Sequence, residues 1–377
     1  MQNQKHLVHL KEGIHYLNCA AKSPLLIKGE AAMIEAMDRE KNLHLRTAND
    51  FFDRPETGRK LFASLVDCEP KQVAFMPAVS YGLSSVLKNV SYSQGQHAIT
   101  IESEFPSDYL ALESWSRKHG ASINVIGPNN SKQPFSDWNE RIIDAISDHT
   151  AVVAISAIHW MNGYKYDLKA IGERCKERGA IFIVDGTQAV GAMKIDVKAF
   201  NIDALICAGY KWLFGPYSIG CFYMSERFNE GTPIEESWMN RTNANKFSEL
   251  TNYGMTYTDG AGRYNVGETS NFLLMPVFLE GMKQVIEWGP ENITEYCTNL
   301  AIPLHNHLKA KGLDVDQSLF ASHLFSISLP VNVNPNDYAQ TLADRNIYVS
   351  ARGSGVRVSL NVFNTEEDVD VLIETLS

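Results

Sequence analysis

The sequence predicts an α/β protein: a large domain built on a mostly parallel sheet, and a smaller α+β domain. Three observations predict it. Short β-rich apolar runs alternate with longer helical stretches, the pattern of a parallel sheet covered on both faces. The alternation gives way after about residue 260 to two long helical stretches and a few isolated strands. At 377 residues the chain is too long for one small domain and suits a large one plus a smaller one. The expected division is an N-terminal arm over residues 1–25, a large domain over 26–260 and a small domain over 261–377, with the arm packing on the small domain.

The elements follow in order. Val73–Met76, Ile123–Ile126, Ala151–Ile155, Ile181–Val184, Ala204–Cys207 and Ile219–Met224 are short apolar runs bounded by Gly, Pro or polar residues, and predict strands. Ser107–His119 and Leu168–Arg178 lie between them and predict helices. Further on, Phe272–Trp288 reads as one helix with Pro276 near its start. Asn292–Lys311 reads as another, with Pro303 as a kink point. HLFSISLP, a helix near Asp337–Arg345 and a strand at Val356–Leu360 come next. The last helix starts at Asn364–Thr365, where Thr365 is a cap and Glu366, Glu367 and Asp368 are acids in the first turn.

Composition narrows the partners. A formal net charge of −10 and the lack of any basic block argue against nucleic acid or an anionic membrane. No apolar run approaches a membrane span, and the N-terminus is polar. The six cysteines are scattered, with no C-x-x-C pair, so neither a metal site nor a disulfide framework is expected. A reducing compartment, most simply the cytoplasm, is the expected location. Cys207 and Cys221 sit in strand-like runs and read as small core residues.

Two strand ends carry the chemistry. In IFIVDGTQAVG a buried strand ends in Asp185 and Gly186, where ligands bind in parallel sheets; a helix-capping role is the alternative. In ALICAGYKWLFGP a second strand ends at Lys211, set among Tyr210, Trp212, Leu213 and Phe214. Desolvation there would lower the lysine's pKa and free its amine to attack a carbonyl; the alternative is a packed stem with an exposed head. Together the two residues form the pair that pyridoxal-phosphate chemistry requires, a lysine for the Schiff base and an acid to hold the pyridine nitrogen protonated.

DGTQAVG and GYKW are similar to the two central motifs of the class V aminotransferase group of fold-type-I pyridoxal-phosphate (PLP) enzymes. That group includes cysteine desulfurases, selenocysteine lyases, kynureninases and isopenicillin-N-epimerase-like proteins. The resemblance covers nearly the whole chain, from IHYLNCAAKSPL to SGVRVSLNVFNTEEDVD. It implies the aminotransferase fold of type I, covalent PLP on Lys211 and a pyridine contact from Asp185. FMPAVSYGL resembles the turn that grips the cofactor phosphate, which gives Val79 and Ser80 as donors at a helix N-terminus. ESEFPSDY resembles the segment that stacks an aromatic ring on the pyridine, the place of Phe105. By the same match Gln188 would reach the phenolic oxygen and Tyr210 the phosphate. Thr269 in RYNVGETSNF would reach the phosphate across a homodimer interface, unless Gly267 and Thr269 merely shape a turn. Arg357 would clamp the carboxylate of a small amino-acid-like substrate through its planar fork, with Arg352 as a second candidate.

The chain also departs from the group. Desulfurases carry a nucleophilic cysteine on the loop before the arginine strand, where this chain reads YVSARGSG. Cys19 lies near the site on the arm, but its position does not match. His159 and Trp160 stand where relatives place Asn or Ser; either lines the pocket or is core. Ala208 replaces a common hydroxyl or thiol residue. The expected activity is transamination, with a lyase (β-eliminating or C–C-cleaving) or epimerase as the alternative and a non-catalytic binding protein behind both. A nicotinamide dehydrogenase is disfavoured, because no G-x-G-x-x-G follows the first strand.

Overall fold

The computed structural model describes residues 1–129, 133, 135–312 and 317–376. Its strands are β1 (His15–Tyr16), β2 (Val73–Met76), β3 (His97–Ile101), β4 (Ser122–Ile126), β5 (Thr150–Ser156), β6 (Ile181–Asp185), β7 (Ala204–Ala208), β8 (Gly220–Met224), β9 (Leu324–Ser328), β10 (Ile347–Tyr348), β11 (Ser350–Arg352) and β12 (Gly355–Ser359). Its helices are α1 (Ile27–Lys41), α2 (Asp53–Val66), α3 (Val79–Leu87), α4 (Pro106–His119), α5 (Trp138–Ala145), α6 (Leu168–Arg178), α7 (Leu274–Trp288), α8 (Pro290–Ala310), α9 (Pro335–Ala343) and α10 (Glu366–Thr375).

A seven-stranded sheet in the order β2-β8-β7-β6-β5-β3-β4 is the frame. β3 to β7 run parallel, as the alternating pattern requires, and β8 runs antiparallel to both β7 and β2. Every residue of β5, β7 and β8 is buried, which explains their continuous apolar runs. The sequence reading missed β3. Its HAITI segment is short and interrupted by Thr100, yet it supplies the strand between β4 and β5.

Local chemistry sets the helix ends. Asp167 caps α6 by accepting from Ala170 N–H, and Gly179 ends it in the left-handed region at φ +71°. Thr365 and Asp368 form a reciprocal capping box on α10. Asp368 also accepts from His15 Nδ1 at 2.7 Å and so ties the arm to that helix. Pro303 lies inside α8, and the helix continues through it from Pro290 to Ala310.

The C-terminal third forms a three-stranded antiparallel sheet, β11-β12-β9, with β12 central. The arm lies against it. β1 pairs in parallel with β10, Ser359 N–H donates to Leu17 O, and Ala20 N–H donates to Ser359 Oγ. α7 packs on α1 and α2. A Cβ on Gly281 of α7 would come 2.1 Å from Leu213 O, so the helix lies directly against the loop that follows Lys211.

Candidate active site

Asp185 ends β6 and Lys211 lies in the loop after β7, the neighbouring strand; both are buried. Asp185 Oδ1 accepts from Thr187 N–H at 2.8 Å, and Thr187 Oγ1 accepts from Ala208 N–H at 3.1 Å. The two strand ends are thereby locked to each other. Burial lowers the Lys211 amine to about 8; Asp185 raises it and Arg357 lowers it. That is the desolvated lysine anticipated from its aromatic and apolar neighbours. Its Nζ lies 5.6 Å from the ring centre of Tyr210 and 5.9 Å from that of Phe105. Burial chiefly pushes the Tyr210 phenol up to about 12, so it stays a hydrogen-bond donor.

Phe105 precedes α4 and packs edge-on against Trp160 at 5.5 Å. Trp160 Nε1 donates to Ser103 O at 2.8 Å, and Ser103 holds a left-handed φ of +55°. Strained non-glycine residues of this kind gather at functional sites. The Trp160 ring also lies 5.5 Å from the Arg352 guanidinium, while its carbonyl accepts from Arg357 Nη1 at 2.7 Å. Trp160 therefore lines the site. His159 does not. It is buried beside Trp138, and burial lowers it to about 4, so it is a neutral core histidine.

Arg357 is the most telling cation. It is 1% exposed on β12, and its Nε and Nη2 have no partner. Burial first, then Arg352, pull its guanidinium down to about 9, while Cys19 and Tyr16 act in the opposite direction. It remains charged at neutral pH. A buried cation with open donors is costly unless an anion fills the gap.

The N-terminus of α3 holds Val79 and Ser80. The preceding Ala78 offers no side-chain cap, and the first-turn N–H groups suit an anion. Gln188 is pinned: its Nε2 donates to Ala20 O at 3.1 Å and its Oε1 accepts from Trp212 Nε1 at 2.9 Å. His323 Nε2 reaches the Gln188 carbonyl at 2.7 Å. Thr269 is buried with its hydroxyl donating to Val266 O, and it lines a cavity of about 580 Å³ whose wall includes Met76 and Pro77. The cavity wall connects it to the approach to α3.

Five participants were given no role in the sequence reading. Ser23 of the arm donates from Oγ to Lys211 O, and its N–H donates to Tyr210 O at 3.0 Å. Trp212 and His323 hold Gln188. Glu104 and Asp108 bring two more buried carboxyls beside Asp185. The signal for those two was present, since they flank Phe105 in ESEFPSDY, but acids at a helix start ordinarily read as caps. Cys19 is fully buried, bonded to Ser23 Oγ and Asn361 Nδ2, and burial raises its thiol to about 11. It is no thiolate nucleophile. Among the described residues no His, Cys, Asp and Glu gather into a metal site, and no helix is long and apolar enough to cross a membrane.

Comparison with known proteins gives a consistent picture. A family model described as Aminotransferase class-V matches residues 35–372. An uncharacterized aminotransferase of Bacillus subtilis, YcbU, is 22% identical over 86% of this chain and 84% of its own length. A probable cysteine desulfurase of Pyrococcus abyssi is 25% identical over 91% of this chain and 90% of its own. Among solved structures, the cystine C–S lyase C-DES in complex with cysteine persulfide superposes with a TM-score of 0.87 at 17% identity, covering 97% of each chain. A C-DES mutant carrying glycine linked to its PLP cofactor superposes at 0.89, also at 17% identity, covering 99% and 98%.

Proposed function

The chain belongs to the aminotransferase class-V family, and from that premise we propose that it is a PLP-dependent lyase that removes a β-substituent, a sulfur group above all, from a small amino acid. Transamination, the activity first expected from the sequence, is the second reading.

The pocket fits the cofactor. Lys211 offers a desolvated amine for the aldehyde, Asp185 a carboxylate for the ring nitrogen, and the uncapped start of α3 a site for the phosphate. Phe105 would cover the ring, Tyr210 would add a phenol at the phosphate, and Thr269 would reach it from a second subunit. Gln188 reaches the phenolic oxygen only with the one amide hydrogen that Ala20 leaves free. When bound, PLP supplies an aldehyde that takes up the substrate amine and a ring that accepts the electrons of a broken Cα bond.

The single observation that carries the reading is Arg357. Its two unpaired nitrogens, buried at the edge of the Lys211 pocket, call for a carboxylate, and the substrate's is the one available. Held there, the substrate presents its Cα proton to the freed Lys211 amine, which acts as general base. The same amine, once protonated, can assist departure of the β-substituent.

The choice of elimination rests on two further points. The loop from Tyr348 to Gly355 contains no cysteine, so no thiolate is available there to accept sulfur in the manner of a desulfurase. Elimination needs no such group, and C-DES, a C–S lyase, shares the fold over nearly the full chain. Transamination is supported by the match to YcbU.

The test is incubation of the PLP-loaded enzyme with cystine, cysteine and other β-substituted amino acids, without a keto acid. Elimination releases pyruvate over many turnovers. Stoichiometric conversion of the cofactor to pyridoxamine phosphate, with no pyruvate, would replace this reading by transamination.

A further inference from the structure

We propose that Arg352 is a second anion receptor of the Lys211 pocket, working beside Arg357, and that the substrate is an amino acid whose β-substituent ends in a second carboxylate. This rests on the reading that Arg357 takes the substrate's α-carboxylate, and it names the substrate class of that same site.

The hairpin sets the two cations side by side. β11 and β12 pair antiparallel, with Ser350 opposite Arg357 and Arg352 opposite Gly355. Directly opposed residues share a face of the sheet, and residues two apart along a strand share it too. Arg352 therefore lies on the face of Arg357, one diagonal step away. Both reach the same residue. Arg357 Nη1 donates to Trp160 O at 2.7 Å, and the Arg352 guanidinium lies 5.5 Å from the centre of the Trp160 ring. The turn between the strands holds this arrangement. Gly353 has a left-handed φ of +54°, and a Cβ there would come 2.9 Å from Met161 Cε, so the turn is seated on the residue after Trp160.

Like charges so placed repel each other. Among the described residues no acid pairs with either guanidinium. Ser350, their neighbour on that face, gives its hydroxyl to Asn18 Oδ1 at 2.7 Å. Arg352 Nη1 donates to Ala351 O at 2.7 Å, and its Nε is buried with no partner. With Nε and Nη2 of Arg357, three buried donors on two cations are open. One α-carboxylate brings one charge and two oxygens. It answers the fork of Arg357 and leaves Arg352 unanswered. A second carboxylate supplies the missing charge and acceptors. Arg357 is buried and Arg352 half-buried, so the second anion lies nearer the solvent, at the far end of the substrate side chain.

The test compares S-carboxymethylcysteine and S-carboxyethylcysteine with their side-chain carboxamides, which match them in shape and lack the second charge. Binding to the PLP-loaded enzyme is read from the change in its visible band, which needs no turnover. Wild type should bind at least one acid about 10-fold or more tighter than its carboxamide. Arg352→Gln should erase that preference by weakening the acid alone. Arg352→Lys, which keeps the charge and loses the fork, should restore part of it. Equal binding of acids and carboxamides by wild type would overturn the proposal, whatever the folding of a variant. So would a preference for the acid that survives Arg352→Gln.

Arg357→Lys separates the two ideas. It should weaken acid and carboxamide alike, since both carry an α-carboxylate. If it weakens neither, the reading of Arg357 is wrong, whereas the ratio of acid to carboxamide tests Arg352 by itself.

Discussion

Arg357 is a residue whose environment makes sense only with something else present. Its planar fork has one arm on Trp160 O and two nitrogens free. A lysine in its place would keep the charge and lose the paired geometry. Arg357→Lys should raise KM for the amino acid about 10- to 100-fold, the equivalent of about 1.5–3 kcal/mol for a charged hydrogen bond, with a smaller effect on kcat. Steady-state kinetics checks it; an unchanged KM would take the carboxylate away from Arg357. Lys211 gives a prediction in pH. Its amine, lowered to about 8 by burial, is a base only when unprotonated, so kcat should rise with pH through about 8 and level off above it. A rate that falls across that range would exclude the amine as general base. At this scale the sequence was informative where a residue broke the rule of its surroundings: a lysine among aromatics, an aspartate at a buried strand end. It was silent on Asp108 and Ser23, because acids and small hydroxyls at helix starts and in loops are ordinary, and only their neighbours in space make them unusual.

The elements show the same division. Strands buried on both faces, such as Ala204–Ala208, announce themselves as unbroken apolar runs, and α6 is legible from its cap, its buried stripe and its closing glycine. β3 escaped because Thr100 interrupts it, although that threonine is itself buried in the sheet. The antiparallel direction of β8 has no local signature, since reversing a strand leaves its burial unchanged. α7 was read from sequence, but its partner was not. Gly281 lets it touch Leu213 O, so the helix braces the loop that carries Lys211. Gly281→Ala should cost about 1–3 kcal/mol through overpacking and weaken PLP retention at the same time. Thermal melts and equilibrium dialysis check the pair; a stable variant that retains cofactor normally would remove the bracing role.

For the whole molecule, the notable surface lies around Thr269. Trp238 and Phe247 are each about two-fifths exposed, and Ile34 and Met37 on α1 lie open to solvent. Phe51 links Trp238, Phe247 and Phe272 into one aromatic group beside the Thr269 cavity. Apolar side chains gathered in this way suit a second copy of the chain, in keeping with the proposal that Thr269 serves a neighbouring subunit. Trp238→Glu should shift sedimentation from dimer to monomer and lower PLP affinity with it. A variant that stays dimeric would move the interface elsewhere. This level was the least legible in the sequence, because a partner surface is written in residues that are far apart along the chain and unremarkable one by one.

The arm gives the site a place in time. Ser23 holds the Lys211 loop, while Ala20 and Leu17 are held by Ser359 of the strand that carries Arg357. Two segments far apart along the chain thus meet at the reactive lysine. A nascent chain that still lacks β12 has Lys211 but neither the residue that fastens the arm nor the carboxylate clamp. Synthesis must pass residue 359 before Ser359 can fasten the arm and Arg357 can take a carboxylate.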